Sequence, residues 1–359
     1  MENRITNLKI SNFKSIREAE LECGRINLFI GRPNVGKSNV LEALSLLGAN
    51  YSRLNPFLSE FIRYERFKNL FHFQITDNPV VVNTDIGGTC IFHDYKHDDF
   101  DFYSGPSPAI RQQEIDHLSA DKFRNRFENI YGEINLGYAS VRSDGNASNS
   151  SLDSYSPVKK YSFQPNQRVD YKEKVFLLPP HGKNLFSVME TCKRLKDEIP
   201  FLFEEYKLDF LLDQERNTFD LIRKEAGIYQ RIPYNLIADT LQRIIFHYAA
   251  IFSNKDSVIL FEEPESHSFP PYVSDLAYKI SQDTANQYFI TTHSPYLFTK
   301  IVEETPVEEV AVFITYFENY ETKFKKLTAN DISELLDYGI DIFFNAKYFL
   351  DETVPENPS

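Results

Sequence analysis

Apolar positions divide the chain into stretches of different period. ITNLKISNFK (5–14) and ELECGRINLFI (20–30) alternate or run apolar, which predicts strands, and the second leads straight into a glycine-rich loop. Beyond it, SNVLEALSLLGA places Val40, Leu41, Ala43, Leu44 and Leu47 at helical spacing. From 50 to 175 the pattern shifts. PVVVNTD, TCIFHDY, NIYGEINLGYASV and PVKKYSF read as short strands between polar stretches, and RSDGNASNSSLDSYSP (142–157) reads as a mobile loop. No heptad run predicts a coiled-coil arm.

Regularity returns at 176. NLFSVMETCKRLKDEIPFLFEEY reads as a helix broken at Pro200, and KLDFLLDQ, TFDLIRK and IYQRIPYNL as successive strands. Ile237, Leu241, Ile244, Ile245, Tyr248 and Phe252 share one face of an amphipathic helix. SVILF (257–261) and QYFITT (287–292) are short apolar runs, the mark of strands buried on both faces, with the helix PYVSDLAYKISQ between them. VAVFITYF and TKFKKLT predict a hairpin, followed by a short helix, NDISELLDYG, that closes on Gly339.

Composition sets limits on this picture. Hydrophobic residues make up 42% of 359, enough for a sizeable core, and 14% aromatic content argues against wholesale disorder. The net charge of -13 does not support DNA as a partner, since phosphate contact needs clustered Lys and Arg, but it leaves DNA contact through a local basic face open. Cys23, Cys90 and Cys192 are far apart and make no CxxC pair, which fits a reducing compartment and gives no zinc site. The sequence offers no signal peptide and no run long enough to span a membrane, so the expectation is a soluble, cytoplasmic protein with no membrane partner.

The chemistry begins at GRPNVGKS, residues 31–38. In this GxxxxGK[ST] loop between strand and helix, residues Gly31, Arg32, Pro33, Asn34, Val35 and Gly36 wrap around phosphates at a helix N-terminus, with every residue but Pro33 able to offer a backbone N–H. Lys37 would reach the β- and γ-phosphates, the Ser38 hydroxyl would hold Mg²⁺, and Asn39 completes the cofactor-binding stretch. Two readings share this loop. A GTPase should add DxxG, which Asp85-Ile86-Gly87-Gly88 matches, and NKxD, which Asn254-Lys255-Asp256-Ser257 does not. An ATPase of the ABC class should add carboxylates at the end of a buried strand. SVILFEEPESHSFPP supplies them: Glu262 for the metal side and Glu263 to polarise the attacking water. His293, just past QYFITT, is placed to contact the γ-phosphate and sense hydrolysis.

GRPNVGKS, ILFEEPESH and FITTHSP, with the opening LKISNFKSI, resemble the ATPase heads of the RecF/SMC/OLD-like branch of ABC proteins, above all the compact armless OLD-like type. The resemblance covers roughly 1–48 and 176–345. It implies an α/β P-loop NTPase fold, with a mixed or parallel core sheet flanked by helices and an antiparallel β subdomain. On this basis 1–49 and 176–350 form the head, 50–175 are a mixed, β-containing insertion, and 351–359 a disordered tail. It also implies ATP and Mg²⁺ as cofactors, and a dimer in which two ATPs are sandwiched between subunits. Glu263 would be the catalytic glutamate, His293 the switch histidine, and Ser266-His267 part of the loop that communicates across the dimer. Too few residues follow His293 for a Toprim nuclease, so an effector would be a separate chain; the setting implied is DNA repair or defence against phage and plasmids.

Two departures qualify this. The metal-side residue is Glu262 where the branch usually has Asp. The signature position, Ala238-Asp239-Thr240, lacks the Ser and Gly that normally face the γ-phosphate across the dimer. That opens a second reading: a nucleotide-dependent scaffold that hydrolyses little and holds or inhibits a partner.

Other stretches read more plainly. His93 and His97 in HDYKHDD are expected in a solvated acidic loop. Lys159, Lys160, Arg168, Lys172 and Lys174, interleaved with Tyr161, Phe163 and Tyr171, read as an exposed strand with ordinary charge. Leu178–Asn184 reads as a rigid turn capping the next helix. A glutamine near Mg²⁺ is expected, with Gln74 and Gln164 as candidates.

Overall fold

The structure, a computed structural model, describes residues 2–52, 55–105, 122–123, 136–152, 155–165 and 175–350. Its strands are β1 (Asn7–Phe13), β2 (Ile16–Glu22), β3 (Ile26–Ile30), β4 (Val80–Thr84), β5 (Gly87–Asp94), β6 (Asp99–Gly105), β7 (Gly137–Arg142), β8 (Ala147–Ser151), β9 (Val158–Tyr161), β10 (Leu208–Asp213), β11 (Thr218–Glu225), β12 (Ile228–Pro233), β13 (Val258–Glu262), β14 (Gln287–Thr291), β15 (Val310–Glu318) and β16 (Glu321–Lys326). Its helices are α1 (Lys37–Ser45), α2 (Leu185–Thr191), α3 (Lys193–Glu198), α4 (Phe201–Glu204), α5 (Asp239–Ser253), α6 (Pro270–Gln282), α7 (Pro295–Glu304), α8 (Ala329–Asp337) and α9 (Ile342–Leu350).

The central sheet runs β16-β15-β3-β14-β13-β9, parallel throughout except for the β15–β16 hairpin. Its strands are apolar on both faces because both faces are covered. Period two sends Ile26, Leu28, Ile30, Ile259, Phe261, Tyr288 and Ile290 into one core with α5, α6 and α7. The alternate set, Phe29, Val258, Leu260, Phe289 and Phe313, faces α1 and a second sheet. Phe29 stacks there between Phe313 and Phe289, at centroid distances of 5.1 and 6.4 Å. Each ring buried this way is worth about 1.5–3 kcal/mol over an exposed one.

The second sheet, β2-β1-β4-β5-β6-β7-β8, is antiparallel. Most of its strands come from 50–175, and the same stretch supplies β9, an edge of the central sheet. A third antiparallel sheet, β10-β11-β12, packs its Phe219 and Leu221 into the core that holds α5. The fold is therefore the mixed α/β P-loop head with an antiparallel β portion that the motifs predict.

Several local expectations need correction. Residues 147–151, read as part of a mobile loop, form β8, because β7 offers them an unpaired edge and the backbone rather than apolar side chains makes the pairing. The helix from 185 breaks at Cys192 as well as at Pro200. Val158–Tyr161 is not an exposed strand: Lys159 and Lys160 are both buried. Arg168, Tyr171, Lys172, Lys174 and the 351–359 tail lie outside the described residues.

Candidate nucleotide site

Four parallel strands deliver their C-terminal ends to one cleft of about 860 Å³. This is where ligands bind in sheets of this kind, because loops from neighbouring strands can converge there without edge strands intervening. β3 ends in the glycine loop, β13 in Glu262 and Glu263, β14 in Thr292 and His293, and β9 in Ser162 and Phe163.

Two glycines of the loop are demanded by geometry. Gly31 has φ 148°, and a Cβ there would lie 2.2 Å from the Thr315 carbonyl oxygen. Gly36 has φ 93°, and a Cβ would meet Thr322 Oγ1 at 2.1 Å. Thr322 Oγ1 donates to the Val35 carbonyl at 2.8 Å, so β16 fixes the loop from behind. Pro33 and Asn34 line the cleft, Arg32 is exposed, and Asn39 donates to Ser15 Oγ at 2.6 Å.

Lys37 Nζ donates to the carbonyls of Gly31 and Arg32 at 2.9 and 2.8 Å, folded back on its own loop. Burial lowers its pKa, against the charge of Glu263. The Ser38 hydroxyl and Glu262 line the same side of the cleft, and Ser38 helps to lower the Glu262 pKa. That carboxylate sits between Arg63 Nη2 and Lys160 Nζ, each 3.1 Å away. Burial alone would raise its pKa, but Lys160, Ser38 and Arg63 outweigh it and the net shift is downward. Glu262 is held ionised, as a metal-side ligand must be.

Glu263 adopts φ 45°, which turns its carboxylate out of the strand line while its N–H still donates to Thr291 O at 3.0 Å. His293 Nε2 stands 3.5 Å from Glu263 Oε1, and Ser266 Oγ donates to Oε2 at 3.3 Å. Burial and then the charge of Lys37 lower the His293 pKa, with Glu263 opposing, so the imidazole is neutral near pH 7.

The structure thus gathers Gly36, Lys37, Ser38, Asn39, Glu262, Glu263 and His293 around one cleft. The signature-like residues are not in it. Ala238, Asp239 and Thr240 open α5 beside an apolar groove lined by Leu208, Ile237 and Tyr272. Asp239 pairs with Arg243 at 2.8 Å, and Thr240 Oγ1 donates to the His267 carbonyl at 2.8 Å. One turn on, Arg243 and His247 do reach the cleft, with the Arg243 guanidinium 4.8 Å over the Phe163 ring.

Sequence reading missed most of the cations. Lys14 and Arg63 line the cleft and both pair with the buried Glu42, Arg63 Nε at 2.9 Å. Buried Lys160 binds Glu262 and donates to Phe61 O at 2.9 Å. Nothing in the spacing of 14, 42, 63, 160 and 262 announces this network; the one available signal was a pair of lysines in an otherwise apolar strand. Gln164 follows Phe163 at the end of β9, whereas Gln74 lies on a short 3₁₀ turn outside the cleft. Asp85, the start of DxxG, accepts from Thr6 N and Asn7 N and closes the β4–β5 turn onto β1. His93 contacts Thr76 and Asp98, His97 pairs with Asp94, and no cluster fit for a metal occurs among the described residues. Asn184 starts α2 without capping it; its side chain instead accepts from Leu178 N and donates to Phe176 O, closing the turn. No described helix is long and apolar enough to cross a membrane.

Comparison with known proteins agrees with this geometry. A replication and repair protein, RecF of Phocaeicola vulgatus, is 41% identical over 59 residues, 16% of either chain, so the match spans about a sixth of that relative. An SMC head solved with the C-terminal winged-helix domain of ScpA superimposes with a TM-score of 0.51 at 13% identity, covering 92% of this chain and 99% of that one. An SMC head with an extended coiled coil, bound to the C-terminal domain of ScpA from Pyrococcus furiosus, gives 0.47 at 11% identity over 93% and 98%. The family profile described as "AAA domain, putative AbiEii toxin, Type IV TA system" matches residues 26–299. The chain belongs to that family, and its fold is that of an SMC-type head.

Proposed function

We propose that this chain binds ATP with Mg²⁺ in the cleft and hydrolyses it. The observation that carries the reading is the convergence of Lys37, the Ser38–Glu262 pair, Glu263 and His293 at the C-terminal ends of β3, β13 and β14. The residues suit the ligand. The glycine cradle excludes any Cβ at 31 and 36, and Lys14, Lys37, Arg63 and Arg243 make the cleft locally cationic in a chain of net charge -13.

In this reading the glycine loop orients the phosphates and Lys37 leaves the loop carbonyls for them. Ser38 and Glu262 would hold Mg²⁺, which when bound would supply charge neutralisation to the phosphates. The Glu263 carboxylate takes the proton of the attacking water, and neutral His293 offers a hydrogen bond on the same side. The cycle drives association with a second copy or another subunit. It serves DNA repair or defence against phage or plasmids through a separate effector, in line with the toxin–antitoxin term in the family description and with the RecF relative.

A second reading is a nucleotide-held scaffold with little turnover. It is favoured by Thr240, whose hydroxyl is already committed to the His267 carbonyl, and by Ala238, which has none to give. Turnover of ATP and GTP by purified protein, with and without DNA, separates the two. We expect ATP turnover that Glu263→Gln lowers by about 10²–10⁴-fold. Wild-type turnover no greater than that of the variant would leave the scaffold, and faster turnover of GTP would revive a GTPase.

A further inference from the structure

Between the two left-handed residues Glu263 (φ 45°) and His267 (φ 59°), the chain turns tightly through Pro264, Glu265 and Ser266. Glu265 does not join the carboxylates of the cleft, although it is only two residues from Glu263. Its side chain runs inward, to the loop after β14. Oε1 accepts from Thr292 Oγ1 at 2.7 Å and from the His293 backbone N–H at 2.8 Å. Oε2 is buried without a protein partner among the described residues.

A carboxyl group costs free energy to bury unless it is hydrogen-bonded, so a packing role alone does not account for it. Burial raises its pKa, against the two hydrogen bonds from Thr292 and His293. What the geometry does account for is a link. Thr292 Oγ1 also accepts from Ser294 N at 3.0 Å, and Ser294 Oγ caps α7 by accepting from Leu297 N at 3.3 Å. The contacts therefore form a chain from the turn holding Glu263, Ser266 and His267, through Glu265, to the backbone of His293 and the start of α7.

We infer that Glu265 is a positioning residue that ties the Glu263 turn to the His293 loop, fixing the two side chains against each other and carrying movement of one to the other. The inference rests on the reading that Glu263 and His293 act on a bound nucleotide. It assigns Glu265 neither metal binding nor proton transfer.

Two substitutions and two readouts test it. Gln keeps an acceptor oxygen and the size of the side chain, whereas Ala removes both. Amide exchange of the segment around His293, measured by mass spectrometry, should rise by about tenfold in Glu265→Ala and by less than about threefold in Glu265→Gln. In ATP turnover, Glu265→Ala should lose about tenfold or more in kcat with KM within about twofold, and Glu265→Gln should keep most of it. Thr292→Val, which removes one of the two donors and spares the His293 N–H, should fall between, and serves if the Ala variant does not fold. Unchanged exchange in the Ala variant overturns the link. Loss of kcat in Gln as deep as in Ala, with exchange unchanged in Gln, also overturns it by assigning the effect to charge. Absence of wild-type turnover would defeat the ATPase reading alone, since the exchange measurement still decides whether the link exists.

Discussion

Lys160 Nζ lies 3.1 Å from Glu262 Oε2, joining a buried lysine of β9 to the metal-side carboxylate of β13 across 102 residues of sequence. The parallel pairing of β9 with β13 brings the two together, and Arg63 closes on the other oxygen. Truncating a buried partner leaves an uncompensated charge, so Lys160→Met should destabilise the fold by about 1–3 kcal/mol. Arg63→Ala, which removes a mostly exposed side chain, should cost less, about 1 kcal/mol or below. Urea unfolding of the two variants compares them directly. Equal losses, or none for Lys160→Met, would mean that the buried pair is not a structural anchor.

The glycine loop gives a sharper contrast. Gly36 (φ 93°) faces Thr322 Oγ1, whereas Gly227 (φ 79°) has nothing within 4 Å of a Cβ placed on it. Gly227→Ala should therefore cost only the left-handed backbone term, about 1–2 kcal/mol. Gly36→Ala adds a clash with β16 and should weaken binding of a fluorescent ATP analogue by more than about tenfold. Nucleotide binding by Gly36→Ala as tight as by Gly227→Ala would remove the cradle from the argument.

Acid sensitivity follows from His247. Burial pushes its pKa down to about 3, and its ring meets the Phe261 ring edge-on at 5.0 Å. Below the ordinary pKa of about 6.5 the unfolded chain takes up a proton that the folded chain refuses. Stability is thus complete above about pH 6.5 and falls with pH toward 3, by up to about 1.4 kcal/mol per pH unit. His293, also shifted downward, adds a contribution of the same sign. His247→Phe should flatten the dependence of unfolding free energy on pH between 4 and 6.5. Parallel curves for variant and wild type would show that other groups control acid unfolding.

Assembly can be read separately from turnover. Glu263→Gln with ATP should gain mass by light scattering as two heads close on nucleotide, and adding Lys37→Ala should abolish the gain. Constant mass with ATP bound would point to a different subunit completing the site, as the occupied hydroxyl of Thr240 already invites.

The sequence by itself determined the parts of this protein that are local. Strand, glycine loop and helix at 26–45 specify a phosphate cradle because the loop's backbone angles call for glycine at 31 and 36 and for a residue that tolerates the left-handed region at Asn34 (φ 62°). Apolar runs at 258–261 and 287–291 announce strands covered on both sides, and acids or a histidine after such runs mark the cleft. The strand character of 79–95 was legible as well, in PVVVNTD and TCIFHDY, whereas β6 at Asp99–Gly105 was not among the expected strands.

Only the tertiary structure decided which charges meet. Glu42 lies on α1 and Lys160 on β9, while Lys14 sits in the β1–β2 turn and Arg63 in a loop, and no period connects them, because a fold brings residues together by topology and not by spacing. The same holds for Asp85, whose DxxG letters suggest a phosphate contact while its carboxylate is spent on the backbone of Thr6 and Asn7. It holds for Glu265 too. Its neighbours in sequence belong to the cleft, but a tight turn sends its side chain to the loop after β14, where Oε1 accepts from Thr292 Oγ1 and the His293 N–H.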